Sequence, residues 1–211
     1  MSSFIMSKSE VSVLFDVMGA SSIPVGIGDF EDVGEAEYRQ IVESFLDNRL
    51  IDRESKYFRP DKGLERFILP VIKNKVIMIF NYGIGGTCRF NASLYFAENG
   101  LTALLENNDG TIKFLTLDSI DDLLLFIPDI NTAGTALGEA AELYISYVLI
   151  DKAESIVHCT RIDTEKDAAR IAEGKRTVGT APLETSMETK ISEYREMLHN
   201  KLREVYHVAG C

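Results

Sequence analysis

Residues 76–128 read VIMIFNYGIGGTCRFNASLYFAENGLTALLENNDGTIKFLTLDSIDDLLLFIP, and the order of elements within them decides the fold. Val76, Met78 and Phe80 alternate with Ile77, Ile79 and Asn81, which gives a strand that is apolar on both faces until its end. Tyr82-Gly83-Ile84-Gly85-Gly86 predicts a turn or bulge, and a second strand follows from Cys88 to Phe96. Asn99-Gly100 and Asn108-Asp109-Gly110 are hairpin turns, because Asn, Asp and Gly tolerate positive φ. Short strands over residues 101–105 and 111–116 flank the second turn. Asp118-Ser119 then caps a helix built on Ile120, Leu123, Leu124 and Ile127, which Pro128 closes. The unit is an antiparallel meander that runs into a helix.

Downstream the same grammar returns. Residues 143–150 and 156–162 predict a strand pair across Asp151-Lys152-Ala153-Glu154. Residues 168–172 lead through Glu173-Gly174-Lys175, expected as a turn, to a short strand over 176–181. Leu183-Glu184-Thr185-Ser186 precedes a terminal helix with Met187, Ile191, Tyr194, Leu198, Leu202 and Val205 at helical spacing. Upstream, three helices are expected. The first covers 11–18, with Ser9 as N-cap and Gly19 as its end; the second covers 32–46, with Ile41, Val42, Phe45 and Leu46 on one face; the third covers 62–69. An extended Ile23-Pro24-Val25 turn separates the first two. Leu50-Ile51-Asp52 and Tyr57-Phe58-Arg59-Pro60 lie between the second and third. The chain is expected to be one domain, α+β, with a central antiparallel β-sheet and flanking helices. Its parts are a helical, winged-helix-like segment (1–72), a first sheet-and-helix half (73–130) and a second (131–211). The two halves are expected to be a pseudo-two-fold duplication of strand–strand–strand–strand–helix.

The charge limits the partners. Thirty-three acids face 22 bases, a net charge of −11, with no Lys/Arg-rich run, whereas nucleic-acid binding rests on cations that neutralise phosphates. Cys88, Cys159 and Cys211 are odd in number and form no C-x-x-C pair, so neither a disulfide framework nor a zinc site is expected. No secretory leader and no 18-residue apolar run is read, which predicts a cytoplasmic protein without a membrane span.

No catalytic constellation emerges. Gly83-Ile84-Gly85-Gly86 lacks the third glycine of a dinucleotide fingerprint, which would fall at Cys88, and a strand follows instead of a helix. A glycine bulge explains it better. His199 and His207 lie eight residues apart, and His158 and Cys159 are neighbours on a strand that point to opposite faces. The acid pairs Glu31-Asp32 and Asp121-Asp122 sit at helix starts, where the helix dipole accounts for them. No catalytic, cofactor or metal residue is assigned. The candidate partner-binding residues are Tyr194, Leu198, Leu202 and Tyr206 on the terminal helix, with Asn107, Asn108 and Asp109 in a polar turn suited to a clamp or to a plain connection.

The layout of a short helix, Ile23-Pro24, a helix, Leu50-Ile51-Asp52, Phe58-Arg59-Pro60, a helix, four strands, a helix and a second sheet-and-helix half resembles the EspG-like proteins of type VII secretion systems. The likeness is to their shorter, Firmicutes-type relatives. The resemblance implies a cytosolic, non-enzymatic chaperone or adaptor. It would bind a helical secretion substrate, either a Trp-x-Gly protein or a toxin N-terminal domain, and keep it soluble before export. No nucleic-acid or membrane partner is expected, and a homodimer is left open. Two rival readings are a transcription regulator using 9–70 as a winged helix and a small-molecule enzyme of unknown class. The winged helix would read DNA through 32–46, which carries Glu35, Glu37, Glu43 and Asp47 against Arg39 alone.

Overall fold

The computed structural model describes residues 2–20, 32–54, 57–84, 87–98, 100–119, 121–122, 141–149, 154–163, 166–176 and 185–209. The expected turn at Ile23-Pro24-Val25, the body of the helix after Ser119 and most of the strand expected over 176–181 lie outside these residues.

Ser2–Met6 forms β1, which the residue pattern did not suggest. Lys8–Val17 is α1. Its N-cap is Ser7 and not the expected Ser9. The Ser7 hydroxyl accepts the Glu10 N–H at 3.2 Å while the Glu10 carboxylate accepts the Ser7 N–H at 2.8 Å, a reciprocal cap that leaves Ser9 inside the first turn. Gly19, at φ +68°, ends the helix as expected. Glu35–Asp47 is α2; it starts three residues later than the acidic pattern suggested, at a Gly34 cap that contributes no side-chain bond.

Ile51–Glu54 (β2) and Tyr57–Pro60 (β3) pair as a separate hairpin. Lys62–Ile72 is α3, capped by Asp61, whose carboxylate accepts the Gly63 N–H at 2.7 Å. It passes through Pro70 and does not stop at Leu69. Burial of Pro70 and Val71 against the sheet outweighs the one backbone bond that proline cannot donate. Gly100, opposite Pro70, is set by its backbone at φ +140° and not by space, since a Cβ there would meet Pro70 Cγ at an ordinary 3.8 Å.

The strands that follow are β4 (Val76–Ile84), β5 (Thr87–Ala97), β6 (Gly100–Glu106), β7 (Ile112–Leu117), β8 (Ala141–Leu149), β9 (Glu154–Asp163), β10 (Ala168–Arg176) and β11 (Thr185–Lys190); Ile191–Ala209 is α4. They form a mixed α+β fold around one nine-stranded sheet in the order β1-β7-β6-β5-β4-β8-β9-β10-β11, antiparallel throughout. The expected bulge falls between Tyr82 and Gly83, where the β4–β5 register shifts. Two expectations fail in the second half. Glu173-Gly174-Lys175 is no turn, because β10 runs through it, paired with His158, Val157 and Ile156. Thr185–Lys190 is a strand that pairs with β10, so Met187 lies on β11, and helix begins only at Ile191.

Each sheet face has its own core. On one, Met78, Leu94, Phe96, Ala103 and Ile171 pack under α4. On the other, Tyr95, Leu104 and Phe114 meet α1, α2 and α3 through Leu14, Phe45 and Ile68. Phe4 of β1 stacks on Phe114 at 4.5 Å and meets the edge of Phe67 at 4.7 Å, which ties the first strand to both β7 and α3. The N-terminal segment is therefore welded to the main sheet.

Candidate docking surfaces

The stripe proposed for partner binding on α4 is core. Tyr194, Leu198 and Leu202 are buried with Ile191 and Val205, and they close one face of the sheet. A partner cannot reach them without lifting the helix. Of the two readings open to this stripe, packed inward or presented as a ridge, its burial matches the first, for the usual reason: a 3/4-spaced apolar stripe finds the nearest apolar sheet. Tyr206 is half-buried against the same cluster, edge-on to the His207 ring at 6.2 Å. Outward, α4 shows Met197 and Val208. Burial first, and then the charges of Arg195 and Arg203, push His199 below the ordinary imidazole value.

Asn107, Asn108 and Asp109 form the β6–β7 turn. The Asn107 N–H donates to the Thr111 carbonyl at 2.8 Å, and Asn107 Nδ2 donates to Thr111 Oγ1 at 2.9 Å. Asp109 accepts the Thr111 hydroxyl at 2.6 Å and the Thr111 N–H at 2.9 Å, and these bonds hold its carboxyl below the usual range. Gly110 completes the turn at φ +80°. The polar groups of Asn107 and Asp109 are spent inside the turn, which matches the plain-connection reading more closely than the clamp.

Two surfaces are better placed to meet another molecule. One is the sheet face opposite α4 on the β9–β10–β11 side. There Arg161, Arg170 and Glu188 stand in register across three strands, and Arg170 Nε donates to Glu188 at 2.8 Å with both side chains mostly in solvent. Lys190 is exposed beside them.

The second surface is a groove of about 750 Å³ between the β2–β3 hairpin and α3, with Met18 at the end of α1 closing one side. Helical geometry explains its lining. Leu64, Phe67, Ile68 and Val71 turn α3 toward the sheet, leaving Lys62, Glu65, Leu69 and Ile72 at 3/4/3 spacing on the outer stripe. From the hairpin come Asp52, Arg53, Phe58, Arg59 and Pro60, and Asp52 stands opposite Arg59 in register. Among the described residues no three His, Cys, Asp or Glu side chains come together as a metal would require. No helix among them is long and apolar enough to cross a membrane.

Reading the residues alone missed this groove. The signal was the unbroken run Phe67-Ile68-Leu69-Pro70-Val71-Ile72, too apolar for one buried face, so some of it had to look outward. The chain matches no protein-family model, and no curated protein aligns with it significantly.

Proposed function

We propose that this chain is a cytosolic, non-enzymatic chaperone or adaptor of the EspG-like kind, which binds a helical type VII secretion substrate and keeps it soluble before export. The observation that carries the reading is the strand order. Outward from the central β4–β8 pair, the sheet runs β4-β5-β6-β7 in one direction and β8-β9-β10-β11 in the other. Each four-strand run leads into helix. After β7, Ser119 Oγ accepts the Asp122 N–H at 3.1 Å and Asp122 accepts the Asp118 N–H at 2.9 Å, so a capped helical turn opens there; after β11 comes α4. A two-fold relation between the two runs would place its axis between β4 and β8, where the pairing of Phe80 with Ile145 lies midway along their shared ladder. A sheet built of two such runs supports an adaptor because it offers a wide platform with a charged face and a groove exposed among the described residues.

The DNA-reader alternative is disfavoured by α2. Its Arg39 is already ion-paired to Glu35, and Glu37, Glu43 and Asp47 would face phosphate. The test of the adaptor reading is co-expression with small helical-hairpin proteins of the Trp-x-Gly type or with toxin N-terminal domains, followed by size exclusion. A stable complex at fixed stoichiometry is expected. Elution of a folded chain apart from every such partner would refute the reading.

A further inference from the structure

We infer that the groove between the β2–β3 hairpin and α3 docks an amphipathic helix whose apolar stripe carries carboxylates at both ends; this rests on the adaptor reading and names the site and chemistry by which a helical partner is held. Two observations fix the occupant. The first is an apolar strip on the outside of α3, where Leu69 is half-buried and Ile72 is 38% exposed, facing Phe58 and Met18 across the groove. A partly exposed leucine–isoleucine pair at helical spacing, beside an aromatic ring, is the complement of another helix's apolar stripe.

The second observation is charge. Elsewhere Lys8, Arg39, Lys75, Arg170 and Lys201 are each matched to a glutamate, while Arg49, Lys113, Arg195 and Arg203 have no ion-pair partner among the described residues. At the groove, Arg53, Lys62 and Lys73 have no ion-pair partner among the described residues. The groove's own acids are committed or few. Asp61 caps α3, Asp52 lies opposite Arg59, and Glu65 remains. Lys62 is the first residue of α3 and Lys73 its C-cap, so the two cations bracket a helix of 11 residues, about 16 Å long. A partner helix lying along α3 would meet Lys62 at one end, then Glu65, and toward the other end the apolar strip of Leu69 and Ile72 with Lys73 beside it. Carboxylates opposite those two lysines complete the match. Glu65, Asp52 and Asp61 weigh against a polyanion, which would be repelled where the helix is received.

The test uses two fluorescein-labelled peptides of about 14 residues, each with Leu and Ile at i, i+3, i+4 and i+7. One ends in a glutamate pair on both sides and the other in lysine pairs. Binding to the full chain is followed by anisotropy at low and high salt. The glutamate-flanked peptide is expected to bind roughly tenfold more tightly than the lysine-flanked one, with the gap shrinking in salt. The double variant Lys62→Glu/Lys73→Glu should invert that preference, and the milder Lys62→Gln/Lys73→Gln pair should erase it. Ile72→Asp should weaken both peptides by roughly tenfold or more. All three variants change solvent-facing positions, and circular dichroism with thermal melts verifies that each is folded. Equal binding of the two peptides, no binding of either to the folded chain, or a preference untouched by the lysine variants would overturn the inference. So would displacement of the peptide by duplex DNA with an affinity that exceeds its own. If helical-hairpin proteins still form a complex with the chain while these peptides fail, the adaptor reading stands and the groove assignment falls.

Discussion

Leu202 shows how completely α4 is committed to the fold. Fully buried, it sits between Leu198 and Val205 in the cluster that α4 shares with Met78, Leu94 and Ile171. Leu202→Ala is expected to destabilise the protein by roughly 2–5 kcal/mol, the range for cavities of this size, and urea denaturation with an unchanged m-value is the check. His199, two turns along the same helix from His207, reports the helix's electrostatics. Its imidazole is held below the ordinary value by burial and by Arg195 and Arg203, so below that value the unfolded chain binds more protons than the native one. Stability is therefore expected to fall as pH drops from 7 through the ordinary histidine range. His199→Gln should flatten that part of the profile, measured by thermal melts at half-unit steps above the carboxylate range. Tyr38 is a third telling residue. Its hydroxyl donates to Asp16 at 2.7 Å and ties α2 to α1; burial first, and then that bond and charge, push its phenol up to about 12. Between the ordinary value and that one the native state holds the extra proton, so this link weakens at strongly alkaline pH.

Among the elements, β1 is the one whose removal should say most. It is an edge strand of five residues, yet Phe4 bridges Phe114 and Phe67 and Met6 is buried in the core beneath α1 and α3. Deleting residues 2–6 is expected to cost at least about 3 kcal/mol, the loss of one core phenylalanine, and to expose apolar surface to a hydrophobic dye. An unchanged melting temperature would show that the N-terminal helices are held without it. The same strand marks where the sequence stops being legible. Ser2-Ser3-Phe4-Ile5-Met6 is too short to show a period, and its partner, β7, lies more than a hundred positions away. By contrast the meander from Val76 to Leu117 was readable, because alternating apolar residues and Asn/Gly turns encode it locally. Glu173-Gly174-Lys175 misled for the opposite reason: it has turn residues, but the ladder to β9 holds it extended. Thr185–Lys190 was absorbed into the helix pattern because Met187 falls at helical spacing from Ile191, and only pairing with β10 separates them. As for the site, the α4 stripe was visible while its burial was not, since a core stripe and a docking ridge have one pattern. The groove was hidden because it joins Met18, the hairpin and α3 from three places in the chain.

At the scale of the whole molecule, two four-strand runs meet at β4–β8 and, with β1 added beside β7, build one nine-stranded sheet, roofed by α1, α2 and α3 on one face and by α4 on the other. Two places stand out among the described residues: on the β9–β11 side a charged sheet face is exposed, and between the hairpin and α3 lies a groove lined by apolar side chains and by charges of both signs. These are the two surfaces on which the proposed adaptor role would draw. The most direct measurement is a refolding assay. A helical-hairpin secretion protein is diluted from denaturant, and light scattering is followed with and without the chain at increasing molar ratio. Suppression that saturates near one chain per substrate is the predicted result; scattering unchanged by the folded chain at any ratio would contradict the account.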